Sequence, residues 1–154
     1  MKEELNPNEQ SLDTIKKYID SVINMRNAIK QYFQQRIRNS EFSDLTYEMF
    51  QVLAYLWIKN EVNQQDIADA VQKNKASITP LVDNLSKRGL ITRTLNPDNR
   101  RNNLICLTKK GRQYEEVFKP FQQEFFQHLL TETSLAEIKH TTNLLNRLAK
   151  KTLS

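Results

Sequence analysis

Glycine occurs only twice in 154 residues, at Gly89 and Gly111, and proline only four times, so little in this chain interrupts a helix. Cysteine occurs once, at Cys106, which excludes an internal disulfide framework and leaves too few thiols for a zinc site. No apolar run approaches the roughly 18 residues that a membrane span needs, so no membrane partner is expected. Histidine is confined to His128 and His140, and there is no Gly-rich phosphate loop or ligand-spaced cluster. Enzymatic chemistry therefore finds no constellation of groups, and the chain reads as a non-enzyme without cofactor or metal. The opening stretch MKEELNPNEQ is polar and acidic with no apolar core of a signal peptide, which places the chain in the cytoplasm on this reading.

What is present is a positive charge in one place. The net charge is +5, and residues 73–112 hold ten Lys or Arg against only Asp83 and Asp98. So concentrated a block fits a polyanion-binding surface. The length suits one domain, and the fold is expected to be mainly α with a small β-hairpin. Ile15, Ile19, Val22, Ile29 and Phe33 keep helical spacing, predicting one long amphipathic helix from Leu12 to about Arg38. After a loop over 40–45, Thr46 is placed to cap a second helix bearing Met49, Val52, Leu53, Leu56 and Trp57. Near the end, Tyr114, Val117, Phe118, Phe121, Phe125 and Leu129 form another stripe, and Leu135, Ile138, Leu145 and Leu148 one more beyond a break at Thr133 and Ser134. Pro120 predicts a kink or break near 118–120. These terminal helices carry more apolar stripe than one small domain covers, which points to a dimer interface.

The middle of the chain carries the functional signal. Asn63 with Asp66 reads as the start of a short helix whose apolar side is Ile67, Ala68 and Val71. After the turn QKNK a second helix, ASITPLVDNLSKR, turns Ile78, Leu81, Val82 and Leu85 inward and ends at Gly89, a residue suited to the left-handed position. This is the spacing of a helix-turn-helix, and it leaves Lys75, Ser77, Thr79, Pro80, Asn84 and Lys87 on the solvent side, suited to base edges and phosphates in a major groove. Lys87 and Arg88 also suit a helix C-terminus. LITRTL and NLICL then read as strands, with Thr108 capping the next helix. The turn NPDNRRNN tips the hairpin between them. Arg100 and Arg101, with Asn102 beside them, are placed for an adjacent minor groove, and Asp98 is placed to brace Arg100 or turn the backbone.

These residues resemble the MarR family of transcription regulators. Residues 46–112 match its winged helix-turn-helix in order and spacing, including the wing Asp-x-Arg followed by Leu-Thr-x-x-Gly, here DNRR and LTKKG. The terminal helices are similar in length and apolar pattern, so the likeness covers about nine-tenths of the chain. It implies a homodimer that binds double-stranded DNA at a pseudo-palindromic operator, with a small-molecule effector or an oxidant controlling release. The expected organisation is a dimerisation helix and loop over 1–45, a winged helix-turn-helix over 46–112 and dimerisation helices over 113–154, the last forming one compact unit with the first. Pro80 stands where many members carry a polar or basic residue and looks like the peroxide-sensing branch, but that branch keeps its reactive cysteine near the N-terminus. Cys106 lies in the apolar run LICL and reads as a packed, inert thiol.

The leading reading is therefore a dimeric, sequence-specific DNA-binding regulator, in its simplest form a repressor released by a small ligand. The rival from another class is a winged-helix protein-interaction module that meets an acidic partner. A ligand pocket is expected where the long terminal helices meet the winged region, with Tyr18, Arg26, Tyr47 and Trp57 as possible lining. His128 and His140 read as surface or interface residues.

Overall fold

The computed structural model describes residues 9–97 and 103–154. Six helices and three strands run in the order α1 (Glu9–Arg38), α2 (Tyr47–Ile58), β1 (Val62–Asn63), α3 (Gln64–Ala70), α4 (Lys75–Lys87), β2 (Ile91–Leu95), β3 (Asn103–Leu107), α5 (Lys109–Glu132) and α6 (Leu135–Leu153). The expected loop, caps, helix pair and hairpin all occur. Thr46 Oγ1 accepts from the Met49 amide at 3.2 Å, Ser134 caps α6, and Thr108 Oγ1 accepts from the Gly111 amide at 3.0 Å. Each satisfies a donor that the first helical turn leaves without a partner. Glu137 completes the α6 cap, and hydrogen bonds from the Ser134 backbone amide, the Ser134 hydroxyl and Thr133 hold its carboxyl below the usual range.

The sheet is antiparallel in the order β1-β3-β2, with Ile91 opposite Leu107 and Leu95 opposite Asn103. Sequence periodicity missed β1. It is only two residues long, pairing Val62 with Ile105 and Asn63 with Leu104, too short to alternate visibly. Asn63 thus serves twice, as sheet residue and as the N-cap of α3.

The core joins both halves of the chain. Val52, Leu53, Leu56, Ile67, Ala68, Ile78, Val82, Leu85, Leu90 and Phe118 are wholly buried. Leu81, expected inward with its neighbours, is only partly buried. Of the kink or break expected near 118–120, the break does not occur: α5 runs unbroken from Lys109 to Glu132 with Pro120 inside it. One backbone bond is lost there, but Phe118 and Phe121 on either side pack into the aromatic cluster and hold the helix together. By contrast, α6 has no buried residue, and Leu12, Ile15, Ile19, Val22, Ile23, Phe126, Leu135 and Leu148 are exposed on α1, α5 and α6. Cys106 is buried on β3, with Sγ 3.4 Å from Thr94 Oγ1.

The two glycines answer different constraints. Gly89 holds φ +69 with open space around it, so only its backbone conformation is special. Gly111 lies in the first turn of α5, where an added Cβ would stand 2.0 Å from the Leu90 carbonyl oxygen. Gly111→Ala should therefore destabilise by roughly 3 kcal/mol or more, and Gly89→Ala by only about 1 kcal/mol. Thermal unfolding of both variants tests the order, and equal losses would refute it. Burial also predicts that Cys106 labels with a thiol reagent slowly in the native protein and at once after denaturation; complete labelling of native protein on mixing would refute it.

Candidate nucleic-acid interface

α3 and α4 cross over a small residue. Ala68 has no exposed surface and lets α4 approach, while Ile78, Val82 and Leu85 on α4 are sealed against α2 and the sheet. The turn between the helices contains no glycine. Gln72 supplies the left-handed residue there, at φ +53, a conformation that costs roughly 1 kcal/mol outside glycine. Asn74 then caps α4, accepting from the Ser77 amide at 2.8 Å. At the other end Gly89 reverses the chain, with its amide on the Ser86 carbonyl at 2.9 Å and the Leu90 amide on the Leu85 carbonyl at 3.0 Å.

With α4 pinned in this way, Lys75, Ser77, Thr79, Pro80, Asn84 and Lys87 are all exposed, opposite the buried row. That is the arrangement the spacing predicted. Asp98, Arg100, Arg101 and Asn102 lie outside the described residues, so the wing-tip expectations are not addressed by the structure. The strands that carry the tip are in place beside α4. Arg93 of β2 ties the wing to the helix by an ion pair with Asp83 at 2.5 Å.

Part of the basic block turns out to be structural. Arg88 pairs with Asp44 in the loop after α1 and donates from Nε to Asn84 Oδ1 at 2.7 Å. Lys110 Nζ reaches the Arg88 carbonyl at 3.0 Å, and Arg112 holds the Trp57 carbonyl and Glu115, each at 3.1 Å. Lys75, Lys87 and Lys109 make no ion pair with another described residue. The charge excess therefore divides into cations that close helix ends and cations left facing solvent, a division that counting along the chain cannot make. Gln64 is a residue that sequence reasoning missed. From the first turn of α3 its Nε2 reaches Thr79 Oγ1 at 2.6 Å across a gap of fifteen residues, and no periodic pattern announces such a contact.

A cleft of about 410 Å³ opens where α1 and α2 meet the end of α3, lined by Arg26, Lys30, Tyr47, Glu48, Gln72 and Lys73 among others. Arg26 and Tyr47 fall there as expected. Trp57 does not, because its ring is part of the core and its Nε1 donates to the Gly111 carbonyl at 3.1 Å. Tyr18 does not line it either and stays on the exposed stripe of α1. Within the cleft, burial raises the Tyr47 hydroxyl pKa. Burial alone would also raise Glu48, but a backbone hydrogen bond and the Lys30 ammonium 3.2 Å away outweigh it and hold the carboxyl below its usual value. No cluster of histidine, cysteine, aspartate or glutamate suits a metal among the described residues, and none of their helices is long and apolar enough to cross a membrane.

Comparison with known proteins agrees with this geometry. The HTH-type transcriptional regulator SarZ of Staphylococcus saprophyticus is 30% identical over 127 residues, covering 81% of this chain and 84% of that protein. The structure of S. aureus MepR in a DNA-binding conformation matches with a TM-score of 0.78 at 26% identity, covering 88% of this chain and 98% of MepR. The S. aureus MepR–DNA complex matches with a TM-score of 0.75 at 26% identity, over 88% and 97%. The model of the MarR family matches residues 45–102, the span from the end of the first loop to the wing. A helix pair crossing at Ala68, a charged outer face on α4, a hairpin beside it and a relative aligned along four-fifths of the chain lead to one assignment: this chain belongs to the MarR family.

Proposed function

We propose that the chain is a homodimeric, sequence-specific DNA-binding transcriptional regulator, a repressor that a small-molecule effector releases. α4 enters the major groove of each half of a pseudo-palindromic operator, and Arg100, Arg101 and Asn102 of the wing reach the neighbouring minor groove. The observation that carries this reading is the outer side of α4. Five polar or charged candidates and Pro80 stand exposed on a helix whose opposite side is sealed, so the helix is rigid where it would meet a base edge. The MepR–DNA complex supports it by overall likeness. The unpacked apolar stripes on α1, α5 and α6 support a second copy, which sets two recognition helices about 34–36 Å apart, one turn of duplex.

The cleft beside α1 is the place for an effector. Its Lys30 and Glu48 are already paired, and its Gln72 and Lys73 belong to the turn that leads into α4. A molecule that displaces them acts on the recognition helix directly.

A gel-shift titration against duplexes of known and random sequence tests the reading. Affinity falls steeply with salt because several phosphates lose their counterions on binding. Lys75→Gln and Lys87→Gln each weaken binding evenly across sequences and lower the salt slope by about 1. Arg93→Ala strips Asp83 of its partner and leaves a carboxylate facing phosphates, so it weakens binding more than the double variant Asp83→Ala/Arg93→Ala does. Binding without salt dependence or without preference among duplexes contradicts the proposal. Unchanged DNA binding after charge reversal at Arg100 and Arg101 favours a protein-interaction module instead.

A further inference from the structure

The two side-chain hydroxyls in the first half of α4 spend their protons inside the protein. The Ser77 hydroxyl donates to Asn74 Oδ1 at 2.9 Å, and the Thr79 hydroxyl donates to the Lys75 carbonyl at 3.1 Å. Thr79 Oγ1 then accepts from Gln64 Nε2 at 2.6 Å, and the same Nε2 lies 3.4 Å from the Lys75 carbonyl. A hydroxyl has one proton and two acceptor positions. Thr79 is thus left with one acceptor position and its methyl group, and Ser77 with acceptor capacity alone. Pro80 has no N–H and Ala76 offers only a methyl. Ala76, Ser77, Thr79 and Pro80 are all exposed. Lys75, at the first position of the helix, remains a charged donor suited to a phosphate.

Beyond Lys75 the exposed face is made of acceptors and apolar groups, and such a face does not suit every base edge equally. Both kinds of base pair show two acceptors in the major groove, guanine N7 and O6 in one and adenine N7 and thymine O4 in the other, so acceptors alone do not tell them apart. Only an A·T pair adds the thymine 5-methyl group, an apolar partner for the exposed Ala76, Thr79 and Pro80. We infer that the first half of α4 reads A·T pairs through thymine methyl groups packed on Ala76, Thr79 and Pro80, and that Gln64 is the positioning residue that fixes Thr79 for this contact. The inference rests on the DNA-binding reading above. Asn84, two turns from Ser77, has the opposite polarity. A guanidinium only donates, so Arg88 Nε on Asn84 Oδ1 settles the amide orientation and leaves Asn84 Nδ2 as a donor. The two ends of the helix therefore differ in what they accept.

Duplexes selected from a random library by the full-length protein at physiological salt are remade with deoxyuridine for each thymine in turn, which removes one methyl and nothing else. Affinity is expected to fall about fourfold per contacted methyl, at two or more positions in each half-site. Thr79→Ser keeps the hydroxyl and deletes the methyl, so it abolishes the penalty at one of those positions and leaves the rest. Gln64→Leu reduces the penalty at that same position without changing the salt slope. Uridine tolerated at every position, or selected half-sites built of G·C pairs, overturns this inference while DNA binding stands. A library from which no duplex is enriched overturns the DNA-binding reading and this inference together.

Discussion

The structure depends on an aromatic junction built around Phe118. This ring is wholly buried in the middle of α5, with centroids 5.2 Å from Phe50, 5.9 Å from Phe42 and 6.2 Å from Trp57. Phe33 of α1 stacks on Phe50 at 5.1 Å, so rings from α1, the loop after it, α2 and α5 share one cluster. Burying a large apolar side chain contributes roughly 1.5–3 kcal/mol. The cluster therefore outweighs any surface ion pair in the molecule, each of which is worth about 1 kcal/mol at most. Trp57 and Arg112 add reciprocal hydrogen bonds between α2 and the start of α5. Through this junction the terminal helices are held at a fixed relation to the helix-turn-helix, and a change at one can be felt at the other.

The same junction leaves the far ends of the long helices uncovered. α1 is 30 residues, about 45 Å of helix, and its first half is exposed along Leu12, Ile15, Ile19, Val22 and Ile23. Leu135, Leu148 and Leu153 of α6 are in the same state. A stripe of that size facing water is unfavourable, and a second copy with the same stripe removes both from solvent at once. The molecule thus has an uncovered apolar end and, apart from it, a cationic side. The dimer proposed above, if built at the apolar end, doubles the cationic side and fixes the distance between the two halves.

Much of this was legible from residue spacing because the helices are long and amphipathic. The caps at Thr46, Asn63 and Thr108 follow from side-chain chemistry within three residues, and the buried rows of α2 and α4 follow from a period of 3.6. What escaped was non-local. β1 exists only because Leu104 and Ile105 offer it a partner, and Trp57, readable from spacing either as core or as pocket lining, is core because it packs on Phe118 of α5. The helix survives Pro120 because aromatic packing on both sides replaces the lost bond. Likewise Gln64, Arg88 and Arg93 act on residues ten to forty-four positions away, and such pairings leave no periodic trace. The exposed side of α4 was readable as a surface; the hydrogen bonds that set its polarity were not.

Sedimentation of the protein bound to one selected duplex tests the account most directly, because it counts chains while the DNA is engaged. Two chains of 18.2 kDa per duplex are predicted, one for each half-site. A tight, sequence-specific complex containing a single chain would contradict it, since the apolar stripes would then have no partner and the two-fold presentation of α4 would be lost.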